Sequence, residues 1–266
     1  MSSIPFAPQQ NQLLAALSGE ALNRLYSHLE IVALQNGEVL YESGYDRRHV
    51  YFPVDCIVSL LHDTENGDSA EISMVGNEGV LGITSLMSSD GSPWRAVVQN
   101  AGFAYRLTCQ RMRGEFERHG EMLQLILRYT QSRIVQMSQT AVCNRHHSID
   151  QQVCRWLLQT LDRLRGSTIN ITQELLGNAL GVRREGVTVA AGKLQQRGII
   201  EYSRGKITVL ERDKLEALSC ECYGVVTKEM GRLLPRRHEH ANALDWAPEK
   251  FQPAIGRVNI RELAAA

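Results

Sequence analysis

Apolar and polar residues change their period along this chain, and each change marks the border of a predicted element. Over residues 13–29, Leu13, Leu14, Leu17, Leu22, Leu25 and Leu29 recur at helical spacing, with a break at Ser18-Gly19. Short β-favouring runs follow at 31–34, 38–41, 49–54, 57–62, 70–75, 96–99 and 104–107. Asn36-Gly37, Ser43-Gly44, Asn66-Gly67-Asp68, Gly76-Asn77-Glu78-Gly79 and Asp90-Gly91-Ser92-Pro93 separate them, and such combinations turn the chain because Gly, Asn and Asp accept turn dihedrals. Many short strands at this spacing predict a sandwich or jelly-roll β-barrel over residues 12–111.

From Met112 the period becomes heptad. Phe116, Leu123, Thr130 and Met137 repeat every seventh residue, with Gly120, Leu127, Ile134 and Ala141 between them, the alternating spacing of a coiled-coil seam. A helix of roughly thirty residues over 112–143 would be about 45–48 Å long at 1.5 Å per residue, too long for one small domain to bury. It is expected to pair with its own copy across a two-fold axis through Phe116, Leu123, Leu127, Thr130, Ile134 and Met137; the alternative is a helix lying against its own barrel. Beyond Asn144-Arg145-His146-His147, Ser148 caps a helix carrying Val153, Trp156, Leu157, Leu161 and Leu164 on one face, and Gly166 ends it.

Residues 172–210 form a helix-turn-helix pattern followed by a β-hairpin. Leu175, Leu176, Ala179 and Leu180 make one apolar stripe, Gly181 the turn, and Val187, Ala190, Ala191 and Leu194 a second stripe. Thr172 is placed to cap the first helix, with Glu174 in its first turn, where the helix dipole favours an anion. The second helix opens with Arg183, Arg184 and Glu185, the positions that reach base edges when such a helix enters a major groove. Arginine can bond guanine O6 and N7 together, and glutamate can accept from cytosine N4. Gly198 closes the helix, and strands at 199–202 and 207–210 flank a tip with Arg204 and Lys206, which suit phosphate. This is the outline of a winged helix-turn-helix domain spanning 148–234, with a last helix at 212–234 and a weakly ordered tail at 235–266.

Composition adds limits. The chain has 266 residues, 43% hydrophobic and 22% charged, with a formal net charge of zero, so any attraction to nucleic acid must come from a local basic patch. The first residues lack a basic and apolar leader pattern and no run reaches the length of a membrane span, so a cytoplasmic protein with no membrane partner is expected. The six cysteines form no Cys-x-x-Cys pair and read as reduced thiols. Cys220 and Cys222 with His238 and His240 match no common zinc spacing, and no metal site is expected. His146-His147 reads as a polar hinge or, alternatively, a protonation switch. No Gly-rich phosphate loop, His-Glu-x-x-His or Gly-x-Ser-x-Gly motif is present, so no enzyme activity is expected.

The order of parts, an α+β chain with a β-barrel, a long dimerisation helix and a winged helix-turn-helix, resembles the cyclic-AMP receptor protein and fumarate-nitrate regulator family of bacterial transcription factors. Leu-Gly-Val-Arg-Arg-Glu-Gly-Val-Thr (180–188) and Gln-Gln-Arg-Gly-Ile-Ile (195–200) carry the resemblance, together with Leu-Gln-Asn-Gly-Glu-Val-Leu-Tyr (34–41) and Gly44. It implies a homodimeric regulator of transcription on double-stranded DNA, with a cyclic-nucleotide-binding-like barrel as sensor and RNA polymerase as a further partner. Arg184 and Glu185 match the family's base-reading positions, while Val189 stands where a second arginine would read another guanine. Arg183, Thr188, Lys193 and Arg197 are then phosphate or secondary contacts, with Thr172, Arg204 and Lys206 on the flanks.

The effector site departs from the family. Gly82, Ile83 and Thr84 lie where the ribose-binding glutamate is expected, and Trp94, Arg95 and Ala96 lie near the place of the phosphate-binding arginine. These six are the candidate effector residues, but Arg95 fits only if the register slips by one residue, which would turn it to the other face of the strand. The residues therefore argue against a cyclic nucleotide. No cysteine precedes Cys56 to hold an iron-sulfur cluster, and His49 or His62 alone would not hold haem, so no cofactor is expected. The chain looks like an orphan branch of the family. The competing reading is a regulatory module that binds a ligand or partner without touching DNA.

Overall fold

In the computed structural model, residues 7–44, 48–67, 69–87, 92–164 and 166–234 are described; the tail expected at 235–266, with His238 and His240, lies outside them. All the expected barrel strands form, within one or two residues of their expected ends: β1 (Glu30–Leu34), β2 (Val39–Tyr41), β3 (His49–Pro53), β4 (Ile57–Asp63), β5 (Ser69–Val75), β6 (Arg95–Asn100) and β7 (Gly102–Thr108). They make two antiparallel sheets, ordered β1-β7-β3 and β2-β6-β4-β5. Leu34, Val58, Leu60, Val75, Val98 and Ala104, from both sheets, share one buried core, which makes the domain a sandwich.

The leucine run at 13–29 is two helices, α1 (Gln12–Ala15) and α2 (Gly19–Tyr26). The interruption is a cap: Ser18 Oγ accepts from the Ala21 amide. Fully buried Asn11 caps α1 through Oδ1 and donates through Nδ2 to the carbonyls of Pro53 (3.0 Å) and Gly79 (2.8 Å), tying the amino-terminal helices to the barrel. Leu13, Leu14, Leu17 and Leu25 pack with Val50, Phe52 and Leu107 and with the next helical layer.

That layer departs from the expected single helix over 112–143. A short helix α3 (Thr84–Met87) precedes it, and the heptad run itself divides into α4 (Cys109–Glu117) and α5 (Glu121–His146). The break passes through His119, at φ 54°, and Gly120, the extended cap of α5. Phe116 is therefore on the shorter helix and packs, half-buried, against its own chain, so it leaves the expected seam. Helix α5 still spans about 39 Å at 1.5 Å per residue. Its faces differ in burial. Met122, Leu125, Ile126, Tyr129, Arg133 and Gln136 are buried within the chain, while Leu127 (49%), Ile134 (59%) and Val142 (44%) are exposed.

The C-terminal domain comprises α6 (Ile149–Leu161), β8 (Thr168–Asn170), α7 (Gln173–Leu180), α8 (Arg184–Gln196), β9 (Ile200–Ser203), β10 (Lys206–Val209), α9 (Arg212–Leu218) and α10 (Glu221–Leu233). Ser148 and Gln151 form a reciprocal capping box at the start of α6. The expected hairpin gains a third strand, in the order β8-β10-β9. The helix expected over 212–234 breaks at Ser219-Cys220 into α9 and α10, and α10 turns back along α5 until Leu233 reaches the amino-terminal leucine core. Among the described residues no helix is long and apolar enough to cross a membrane.

The C-terminal domain sits on β5, an edge strand of its sheet. Trp156 Nε1 donates to Glu71 Oε1 (3.1 Å), Ser59 Oγ lies 2.5 Å from Glu71 Oε2, and Ser73 Oγ donates to Gln136 Oε1 (3.1 Å). Just beyond the strand, Arg163 Nε donates to Glu78 Oε1 at 2.9 Å, with both side chains less than a tenth exposed. Burial raises the Glu71 pKa above the ordinary carboxylate value, against the hydrogen bonds from Ser59 and Trp156. The folded protein thus holds this proton more tightly than the unfolded chain. Its contribution to stability is complete below the unfolded pKa and is lost as pH rises through the folded one. Thermal unfolding should show wild type losing stability with rising pH across that window and Glu71→Gln losing less; identical pH slopes would refute the assignment.

Candidate nucleic-acid interface

Helices α7 and α8 meet at Gly181, whose φ of 65° is open to glycine and costly for residues with a Cβ. Thr172 Oγ1 accepts from the Leu175 amide (3.2 Å) and so serves as the expected cap of α7. A second glycine sets the helix crossing: a Cβ on Gly177 would lie 3.0 Å from the Val182 carbonyl oxygen. A third, Gly186, lets α8 approach Ile149, where a Cβ would come within 2.8 Å of Ile149 Cδ1. Val187, Ala190, Ala191 and Leu194 are buried in the domain core around Trp156 and Leu157.

Burial of that stripe turns the opposite side of α8 outward. Arg183, Arg184, Glu185, Thr188, Val189, Lys193 and Arg197 are all exposed, with Val189 at 57%. At 100° per residue, Glu185 and Val189 point directly away from the buried stripe, while Thr188 lies on its flank and Arg184 at its edge, all four on one exposed side. The Thr188 hydroxyl lies 2.7 Å from Gln173 Oε1 and 3.0 Å from the Arg184 carbonyl, either of which can accept its proton. Gln173 thereby joins the two helices at the exposed surface, a contact the apolar pattern does not indicate. Lys193 Nζ is 2.8 Å from Asp150 Oδ2, an exposed pair worth about 0–1 kcal/mol, so the ammonium is easily released to another anion. The first turn of α8 has no side-chain cap, unlike α6 and α7. There the Gly186 amide donates to the Arg183 carbonyl instead (3.0 Å).

The hairpin tip completes the surface. Arg204 (φ 48°) and Gly205 (φ 77°) are consecutive left-handed residues, as a two-residue type I′ turn requires, and Lys206 begins the return strand. The Gly205 carbonyl accepts from the Ile171 amide (2.8 Å), which holds the tip beside the start of α7. Thr172, Arg204 and Lys206 are exposed there. The structure thus brings together all nine sequence-derived candidates for nucleic-acid contact, Thr172, Arg183, Arg184, Glu185, Thr188, Lys193, Arg197, Arg204 and Lys206, on one small domain. Six of them are cationic, which provides a local basic surface on a chain of zero net charge.

The effector candidates divide. A cavity of about 140 Å³ between the barrel and α5 is lined by Gly82, Ile83, Thr84 and Trp94, with Tyr129, Thr130, Ile134 and Met137 on the helix side. Arg95 does not reach it: its guanidinium pairs outward with Asp63 (3.0 Å). Ala96 is fully buried in the sandwich core instead. Strand alternation explains both, since residues 95 and 96 face opposite sides. The cation on the cavity is Arg133 of α5, whose Nη1 bonds the Met74 carbonyl and Gln136 Oε1 (2.7 Å) and whose buried Nη2 has no partner. Residue pattern passes over it because it lies on a helix whose spacing reads as a seam. The cavity is well below the roughly 300–1,000 Å³ of ordinary ligand pockets.

The cysteines also separate by surroundings. Burial pushes Cys56 and Cys154 up to about 12, so both are inert thiols. Cys220 is pushed down to about 5, first by its hydrogen bond with Cys143, which itself is pushed up by that contact and by burial. His147, expected as hinge surface, packs beside this pair, whereas His146 is exposed. Among the described residues, His49 and His62 belong to no cluster of three metal-ligating groups.

Residues 151–218 match the Crp-like helix-turn-helix domain. The fold is similar to that of FixK2 from Bradyrhizobium japonicum (TM-score 0.63, 15% identity, covering 72% of this chain and 98% of that one). It is similarly close to a putative transcriptional regulator of the Crp/Fnr family from Eubacterium rectale (0.62, 17%, 79% and 98%) and to a CRP-family transcriptional regulator from Thermus thermophilus (0.58, 17%, 78% and 100%). No curated protein matches the chain in sequence.

The glycine crossing gives a prediction whose sign opposes helix propensity. Alanine is normally better than glycine inside a helix by about 1 kcal/mol. At position 177 its methyl meets a backbone oxygen that cannot step aside, and overpacking typically costs about 1–3 kcal/mol. Gly177→Ala should therefore lower the unfolding midpoint in denaturant titration, and a raised midpoint would show the crossing to be loose.

Proposed function

We propose that this chain is a DNA-binding transcriptional regulator of the Crp/Fnr kind, acting as a homodimer that reads a two-fold pseudo-palindromic operator. The observation that carries this reading is the split of α8 into a buried stripe and a fully exposed face of Arg184, Glu185, Thr188 and Val189. With the helix in a major groove, Arg184 bonds a guanine, Glu185 accepts from a cytosine, and Val189 offers only methyl groups, which suit thymine. Arg183, Lys193 and Arg197 then lie along the phosphates, and Arg204, Lys206 and Thr172 reach the flanking backbone.

The dimer reading rests on the outer face of α5. Leu123, Leu127, Thr130, Ile134 and Met137 keep the alternating three-and-four spacing, and Leu127 (49%) and Ile134 (59%) are exposed in one chain. Large aliphatic side chains repeated along one exposed helix edge call for a cover, and a second copy supplies the same edge by symmetry. Two recognition helices so placed would enter successive major grooves about 34 Å apart.

The cavity supports a sensing role for the barrel. Thr130, Ile134 and Met137 belong both to its wall and to the seam, so a small, mainly apolar occupant would act on the dimer contact directly. With Arg95 turned away to Asp63, the cavity lacks the clamp a cyclic phosphate would need from β6.

Two measurements test the reading. On a site selected from random duplexes, Arg184→Ala should lose about 1–3 kcal/mol of discrimination at one base pair, while Arg204→Ala should weaken all duplexes alike and lower the salt slope by about one. Equal losses for both variants on operator and random DNA would refute the division of roles. Separately, Leu127→Glu with Ile134→Glu should give a monomer in sedimentation with its unfolding midpoint little changed, since neither side chain is buried within the chain. A persistent dimer would place the interface elsewhere.

A further inference from the structure

The turn of α5 that precedes the C-terminal domain and the first turn of α10 bring four soft or borderline donors to one point. Cys143 lies in the last turn of α5 and His147 is the residue that caps its end, while Cys220 and Cys222 flank the start of α10. Cys143 Sγ is 3.5 Å from Cys220 Sγ, Cys222 Sγ is 3.5 Å from His147 Nδ1, and the four donor atoms all lie within 4.8 Å of one another. The three cysteines are almost completely buried, and the imidazole is largely covered. We propose that Cys143, His147, Cys220 and Cys222 form a structural zinc site of the Cys3His type, which clamps the dimer helix to the helix that follows the winged domain.

The distances fit an ion between the donors and exclude a disulfide. A tetrahedral ion with Zn–S near 2.3 Å and Zn–N near 2.05 Å has edges of about 3.8 Å between sulfurs and about 3.6 Å between sulfur and nitrogen. The Cys143–Cys220 and Cys222–His147 edges, both 3.5 Å, fall close to these values, whereas a disulfide brings sulfurs to about 2.0 Å. Three thiolates and one imidazole are a donor set that selects zinc over magnesium or calcium. The surroundings also fit. His147 Nε2 lies 3.2 Å from Glu221 Oε1, the carboxylate partner that commonly fixes the tautomer of a zinc-bound histidine through its other nitrogen. Cys220 occupies the N-cap position of α10 and Cys222 lies in its first turn, at the positive end of the helix dipole. Gln152 Nε2 donates to the His147 carbonyl (3.0 Å), bracing the ligand-bearing turn from α6. All four positions are taken by protein, so the ion would be structural and have no open site for chemistry.

The test uses the untagged full-length chain isolated under reducing conditions, with metal measured by plasma mass spectrometry. About one zinc per chain is expected. Cys143→Ser and Cys222→Ser should each reduce this to below about a tenth, while Cys109→Ser, outside the cluster, should retain it. Should the first two variants fail to fold, wild type stripped by chelator and titrated with cobalt(II) decides. It should develop thiolate-to-cobalt charge transfer and tetrahedral visible bands that saturate at one equivalent and disappear on addition of zinc. A chain with no zinc and no cobalt bands overturns the proposal, as does a Cys143–Cys220 disulfide in freshly isolated protein.

Discussion

The arrangement of this protein depends on how one sheet edge is covered. Among the described residues, strand β5 has a hydrogen-bonded neighbour only on the β4 side, and an uncovered edge invites pairing with another chain. Here the edge is the seat of the C-terminal domain. Glu71 takes the Trp156 indole, Ser73 meets Gln136, Met74 lies against Thr160, and Gly76 leaves room for the Arg163 stem. The seat is polar as well as apolar, which makes it selective. Glu78 and Arg163 are both almost fully buried, and leaving one without the other would cost about 3–5 kcal/mol, so the domain has one satisfied position rather than a range of greasy ones.

Helix α5 is where that seat communicates with everything else. Its inner face supplies Arg133 and Gln136 to β5, its barrel side supplies Ile134 and Met137 to the cavity, its outer edge carries Leu127, and its last turn and cap present Cys143 and His147 to α10. A displacement along one of these faces cannot leave the others unchanged, because the helix is continuous from Glu121 to His146. Any effector could shift the balance between arrangements only by the difference in its affinity for them. On the proposed reading, that difference would be set by contacts to α5 itself, without need of a relay through the barrel.

Much of this is legible in the residue pattern, for identifiable reasons. The strands announce themselves because each short apolar run ends in a Gly, Asn or Asp turn, and α7 and α8 because two apolar stripes flank a glycine at 181. The failures have equally physical causes. Gly120 falls on a heptad position and so reads as part of the seam, whereas the backbone uses it to end one helix and begin another. Arg95 fits a ligand role only on a register that strand alternation forbids. The break at Ser219-Cys220 carries neither glycine nor proline. The Cys143–His147 spacing is visible, yet its partners at 220 and 222 lie more than 70 residues away, and only the return of α10 along α5 joins them.

That return also bears on how a chain with no net charge can face a polyanion. The acidic residues are largely spent inside the fold or on pairs: Glu71 and Glu78 are buried, Glu115 holds Arg24, Asp63 holds Arg95, and Asp162 holds Arg212. On α8 and the hairpin tip, by contrast, Arg183, Arg184, Arg197, Arg204 and Lys206 remain exposed. Screening confines each charge to about 8–10 Å at ordinary ionic strength, so a phosphate backbone senses the local excess and not the zero sum. On the proposed reading, Glu185, set within this basic surface, would act by exclusion. Opposite cytosine it accepts a hydrogen bond, while near a phosphate, or a base edge that offers only acceptors, it is repelled, so one carboxylate among cations narrows the sequences that the cations alone would tolerate.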